Sequence, residues 1–254
     1  MVSTLWNAGA EALDDLVDGG GDSALTPNER LVAGTACLAL LPALAIDRLA
    51  APEALGRLWL RDLAEHTVES AEGQLADTSR DPGALAWARV MRAYAGKTGA
   101  NYARDAVMAA RCAVEDPGQL RGWQVLGQLL GVLRQTHNDN DVRPPEDDED
   151  LANGTPTLLL AHALEASSPA ERERLLALRT AARTSVLARA DLRSLLHAPP
   201  VVTGYRRRIG ALRRSALDLL EWLAEPSPFR AAIAARIDDS AVLAIPSSVA
   251  ARVA

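Results

Sequence analysis

Two clusters of acidic side chains carry the chemistry this sequence could perform. In EALDDLVDGGGD, Asp14 and Asp18 are four residues apart with Asp15 beside them, so on a helix the three carboxylates crowd its last turn. That end is the negative pole of the helix dipole, and the carboxylates repel it and one another unless a cation is present. A magnesium ion shared with a diphosphate suits such a place, because hard Mg²⁺ takes few carboxylates and fills its octahedron with water and phosphate oxygens. A solvated helix end is the plainer alternative. A second cluster, HNDND from His137 to Asp141, ends another apolar segment.

The elements that must hold these clusters are helices. A small polar residue followed by proline recurs at Thr26-Pro27, Asp81-Pro82, Asp116-Pro117, Thr155-Pro156, Ser168-Pro169 and Ser227-Pro228, a pattern suited to a cap and a first helical position that has no N–H to lose. Thr26 with Glu29 and Ser168 with Glu171 also have capping-box spacing. Between these points Ala, Leu and Arg recur at helical period and β-branched alternation is nearly absent. The reading is all-α, with helices over 4–18, 27–49, 52–77, 82–95, 97–114, 117–140, 156–166, 169–197 and 201–224, and shorter turns beyond. Gly19 to Leu25 and Asp141 to Gly154 are expected to lack structure.

With 254 residues and 48% hydrophobic content, the chain can bury one substantial core, and a single domain over 1–254 is expected. The net charge of −6 argues against nucleic acid as a partner, although Arg206, Arg207, Arg208, Arg213 and Arg214 gather near the C-terminus. Of these, Arg206 to Arg208 could reach a diphosphate or form a solvated basic face. Cys37 and Cys112 lack CxxC spacing, which predicts neither a disulfide framework nor a zinc site, and both are expected to be buried. The most apolar run, Leu31 to Leu44, is interrupted by Pro42 and reads as too short to span a bilayer. With no leader-like N-terminus, a cytoplasmic protein is the default.

Several short stretches, in order, resemble the trans-polyprenyl diphosphate synthases. GVLRQTHND followed by DLANGTPTLLLAHAL is similar to that family's second aspartate-rich region, with Gly131, Gln135, Asn138, Asp139, Asp150, Leu151, Gly154, Thr157 and Leu158 at matching positions. EGQLAD, with Gly73, Gln74 and Asp77, resembles its Gly-Gln-x-x-Asp, and AGKTGANY resembles its Lys-Thr-Gly contact with diphosphate. DDLVD stands where its first aspartate-rich motif belongs. The similarity is strongest over 11–165, with 225–254 as a helical tail.

The resemblance implies a helical bundle of the class I isoprenoid synthase type, lacking the first helices. It implies a cytoplasmic, dimeric, Mg²⁺-dependent prenyltransferase of isoprenoid biosynthesis that ionises an allylic isoprenyl diphosphate and joins it to isopentenyl diphosphate. By position, Asp14, Asp15, Asp18, Asn138 and Asp139 would hold metal. Lys97, Thr98 and Gln135 would meet the diphosphate or steady the cation, and Gly9 and Ala10, one turn before the first aspartate, would line a tunnel with Trp6 as its floor. The family's Gly-Lys-Arg and His contacts for isopentenyl diphosphate have no counterpart here, GGGDSALTPNER replaces its Arg-Arg-Gly, and Thr155 stands at a lysine position. In the second motif Asn138 and Val142 replace aspartates. A lyase without the co-substrate, or a non-catalytic subunit paired with an active homologue, therefore stays open beside the transferase, as does a homodimer or heterodimer. Neither nucleic acid nor an integral membrane segment is expected.

Overall fold

The computed structural model describes residues 1–18, 25–77, 85–140 and 144–245. Among these it is helical, without strands. In chain order the helices are α1 (Val2–Asp18), α2 (Pro27–Thr35), α3 (Leu41–Asp47), α4 (Glu53–Asp77), α5 (Trp87–Tyr94), α6 (Ala100–Ala110), α7 (Pro117–Asp139), α8 (Glu149–Asn153), α9 (Leu158–Ala166), α10 (Pro169–Ala182), α11 (Val186–Leu196), α12 (Pro199–Leu223) and α13 (Pro228–Ser240).

Local sequence sets most of the starts. Thr26, Asp116, Ser168 and Ser227 cap the helices that begin at the following proline, and both capping boxes form. Asp81-Pro82 lies outside the described residues. At Thr155-Pro156 the expectation fails, because Thr157 accepts from the Leu160 N–H and starts α9 two residues later. The helix read over 169–197 is two, since the Ser185 side chain accepts from the Ala188 N–H and restarts the chain as α11. Residues 144–154 are ordered as a 3₁₀ turn, Pro145–Asp147, and α8, closed by Gly154 at φ 70°.

Five-residue π-helical turns interrupt two long helices, at Ala36–Leu40 and Ala95–Gly99. The first joins α2 to α3, so the helix runs on through Pro42, as the reading of 27–49 expects. The looser hydrogen-bond register of a π turn accommodates a residue without an N–H. By length and composition the resulting helix, Pro27–Asp47, could cross a membrane. One side packs on α1, while Leu31, Val32, Leu40, Leu41 and Leu44 are exposed. Neither cysteine is buried: Cys112 is exposed and Cys37 half-buried.

Glycines fix how closely the helices approach. A Cβ on Gly73 of α4 would lie 2.1 Å from the Lys97 backbone nitrogen, and one on Gly131 of α7 would lie 2.6 Å from the Gly99 Cα. The π turn Ala95–Gly99 is thus held between α4 and α7 with its backbone against theirs. The main core joins α5, α7 and α9 through α13, and a smaller one gathers Trp6, Ile46 and Leu63.

His162 belongs to the main core, 5.9 Å from the Tyr205 ring and edge-on to Trp87 at 6.4 Å between centroids. Burial, then the Arg208 cation, holds its pKa below the ordinary histidine value. The folded state therefore disfavours the proton, so the stability contributed by neutral His162 is complete above pH ~6.5 and is lost as pH falls through its lowered value. The melting temperature is expected to drop between pH 7 and 5, and to drop less in His162→Gln. Parallel melting curves across that range would contradict this.

Candidate active site

The π turn and the C-terminal ends of α1, α4 and α7 meet at one end of the bundle. Because Gly73 and Gly96 bring α4 against the turn, Lys97 Nζ reaches Asp77 Oδ2 at 3.0 Å and Asp14 Oδ1 at 3.6 Å. Gln74 Nε2 donates to Asp14 Oδ1 at 2.8 Å. On the other side of the turn the Gly99–Gly131 contact brings Thr98 to α7, where its hydroxyl donates to Gln135 Oε1 at 2.6 Å. Gln135 Nε2 in turn donates to Asp139 Oδ1 at 2.7 Å. Two polar sets, Asp14–Gln74–Lys97–Asp77 and Thr98–Gln135–Asp139, thus flank the turn and meet through the backbone between Lys97 and Thr98, with Lys97 as the cation of the first.

Asp139 also accepts a hydrogen bond from the Tyr94 hydroxyl, which itself accepts from the Leu158 N–H at 3.3 Å. Burial raises the Asp139 pKa to about 8, aided by the charge of Asp150, while the bonds from Tyr94 and Gln135 pull the other way. Asp150 rises to about 6, through burial and then the charges of Asp148 and Asp77, opposed by Lys97 and Thr155. Two carboxylates that face each other in a partly dry site cannot both ionise cheaply without a cation. Asp139 and Asp150 also share a small cavity of about 50 Å³ with Arg193 and His197.

The residues expected from the sequence divide. Asp14, Lys97, Thr98, Gln135 and Asp139 converge. Asp15 is half-buried beside Asp14, whereas the side chain of Asp18 lies outside the described residues, as do Asp141 and Val142. Asn138 is exposed at the helix end. Gly9 does not face a tunnel: a Cβ there would meet the Leu38 nitrogen at 2.5 Å and the Gly34 oxygen at 2.8 Å, so its smallness serves the α1–α2 contact. Ala10 packs against the small core. Trp6 is buried in that core, with its indole N–H donating to Thr67 Oγ1 at 3.1 Å and the Arg104 guanidinium 4.8 Å above its ring. Sequence reading gave no role to Tyr94, Asp77 or Asp150. Asp77 and Asp150 were visible as motif positions, while Tyr94 had no signal beyond standing one turn before Lys97.

Asp139→Asn separates the charge from the geometry. The amide oxygen can accept from Tyr94, and a flipped Gln135 can accept from the amide N–H while donating to Thr98. Wild-type Asp139 keeps its proton in the folded state up to about pH 8. Its ionisation therefore costs stability as pH rises from ~4 through that value. We expect the variant to be about 2 kcal/mol more stable than wild type at pH 9 without metal, with the gap closing towards pH 4. Denaturant melts at the two pH values measure this; a variant less stable at pH 9 would contradict it.

The fold that carries this site is that of the isoprenyl diphosphate synthases. The polyprenyl synthetase from Streptomyces coelicolor A3(2) has a TM-score of 0.80 and 20% identity over 95% of this chain and 77% of its own. The geranylgeranyl pyrophosphate synthetase from Pyrococcus horikoshii Ot3 gives 0.79 and 17% over 94% and 77%. The geranylgeranyl pyrophosphate synthase from Corynebacterium glutamicum, complexed with isoprenyl diphosphate and magnesium, gives 0.77 and 21% over 94% and 77%. No protein-family model and no curated protein matches the sequence.

Proposed function

We propose that the chain binds an allylic isoprenyl diphosphate with Mg²⁺ at the Asp14–Lys97–Asp139 mouth and transfers its prenyl group to isopentenyl diphosphate. The observation that carries this reading is the gathering of Asp14, Lys97, Thr98, Gln135 and Asp139 at one end of the bundle. The donors fit the metal: they are hard oxygens, and Mg²⁺ is held by one or two carboxylates together with substrate phosphates. Among the described residues no three acidic or metal-binding side chains form a ready cage, which suits an ion completed by its ligand. Asp14 with Asp15 on one side, and Asp139 on the other, would each hold an ion shared with the diphosphate, and Asn138 could add a carbonyl oxygen. Bound there, Mg²⁺ would neutralise the diphosphate and make it a better leaving group.

Lys97 then holds the bridging side of the diphosphate, turning from Asp77 and Asp14 towards the phosphate oxygens. As the allylic C–O bond breaks, its electron pair leaves with the diphosphate, and the Lys97 charge stabilises the negative charge that develops. Thr98 and Gln135 direct oxygens towards the allylic cation. The double bond of isopentenyl diphosphate attacks that cation, and transfer of a proton from the resulting cation to the released diphosphate restores an alkene. Incubating the protein with Mg²⁺, geranyl or farnesyl diphosphate and isopentenyl diphosphate should yield an elongated diphosphate and pyrophosphate. Pyrophosphate released with no co-substrate would instead identify a lyase, and absence of both products would leave a subunit that needs an active homologue.

A specific observation bears on the partner. Leu31, Val32, Leu40, Leu41 and Leu44 are all at least 40% exposed, and an apolar row of this kind marks an interaction face. A second copy or a homologous chain would cover it. Sedimentation should show a dimer, and Val32→Glu with Leu40→Glu should give monomers.

A further inference from the structure

The arginines clustered near the C-terminus separate into two sets in the folded chain. Arg208 bonds Glu165 at 2.9 Å and lies over the Trp87 ring, and Arg213 bonds Asp238 at 2.7 Å. Arg206 donates to the Ile245 carbonyl at 2.8 Å. Arg207 and Arg214 differ: both are exposed, and neither has an ion pair or a hydrogen-bond partner among the described residues. With Thr203, Arg206 and Gly210 they line an open cavity of about 560 Å³ on α12, and no carboxylate among the described residues contributes to its lining.

The chain has 33 acidic against 27 basic side chains, and Arg57, Arg61, Arg104, Arg111 and Arg193 all hold carboxylates. Gly210 lies three residues after Arg207 and four before Arg214, on their shared face, and a Cβ there would make only ordinary contact with Arg214 Nη1, at 3.6 Å.

We propose that this groove is a second, metal-independent binding site for a diphosphate-bearing small molecule. Guanidinium forks match phosphate oxygens two at a time, and the forks of Arg207 and Arg214 with the Thr203 hydroxyl supply more donors than one carboxylate can use. A cavity of this size also admits an organic tail on the diphosphate. The carboxylate-lined mouth, on the reading above, takes a diphosphate only with a cation, whereas the groove already carries positive charge. The two sites therefore answer oppositely to chelation.

Calorimetry with inorganic pyrophosphate in EDTA at low salt tests this. Wild type should bind, and Arg207→Glu with Arg214→Glu should weaken binding at least about 10-fold, with an unchanged melting temperature and intact Mg²⁺-dependent uptake of geranyl diphosphate. Asp14→Asn with Asp139→Asn should do the reverse, losing the Mg²⁺-dependent uptake and keeping the binding in EDTA. That second uptake failing in wild type would sink the proposed function and leave the groove standing. The groove proposal is overturned if wild type does not take up pyrophosphate in EDTA, or if the charge-reversed variant binds equally well. Capture by phosphatidylglycerol vesicles without affinity for soluble pyrophosphate would also overturn it.

Discussion

Lys97→Gln is expected to lower the rate of pyrophosphate release from an allylic diphosphate by about 10²–10³-fold, while the protein melts within a few degrees of wild type. The glutamine amide can still donate to Asp77, which Lys97 contacts at 3.0 Å, so the geometry around the π turn survives. What disappears is the positive charge. A preorganised group that stabilises the leaving anion in a partly dry site contributes roughly 3–4 kcal/mol to the transition state, which corresponds to that loss in rate. Rapid-quench measurement with Mg²⁺, geranyl diphosphate and isopentenyl diphosphate gives the number. A variant within about threefold of wild type would remove Lys97 from the mechanism and, with it, the reading of the mouth as a diphosphate site.

The second large effect concerns architecture. Gly73→Ala would place a methyl group 2.1 Å from the Lys97 nitrogen and 2.4 Å from the Gly96 carbonyl carbon. Both are backbone atoms that cannot rotate aside, so α4 and the π turn must part. We expect a loss of about 3 kcal/mol or more, since overpacking against backbone lies at the upper end of such costs, and a melting temperature lower by roughly 6–12 °C in a chain of this size. Gly56, on the same helix, is the internal control: a Cβ there meets nothing within 4 Å. Gly56→Ala should therefore raise stability by up to about 1 kcal/mol, from helix propensity alone. Equal effects at the two positions would show that the close contact is not what holds Lys97 in place. Parting the helices also separates Gln74 and Asp77 from Lys97, so activity in Gly73→Ala should fall along with stability.

These two substitutions mark how far the sequence could be read. Gly73 and Lys97 were both legible as members of short motifs, in the right order and with chemistry attached. That the first positions the second was not legible, because a 2.1 Å approach depends on two helices whose contact no local spacing records. Gly9 shows the opposite error. Its position one turn before the first aspartate suggested a tunnel wall, yet the side it leaves bare faces the backbone at Gly34 and Leu38.

What the sequence determined by itself is whatever acts within about one helical turn. The proline-marked starts at Pro27, Pro117, Pro169 and Pro228, the two capping boxes and the all-α class follow from hydrogen bonds between residues three or four apart. Tertiary structure decided the rest. Tyr94 meets Asp139 across 45 positions of chain, Arg207 and Arg214 are left without carboxylates among the described residues while Arg208 and Arg213 find them, and Asp139 holds its proton to about pH 8. The physical reason is common to all three: burial and long-range charge depend on which helices pack together, and that packing is a property of the whole bundle.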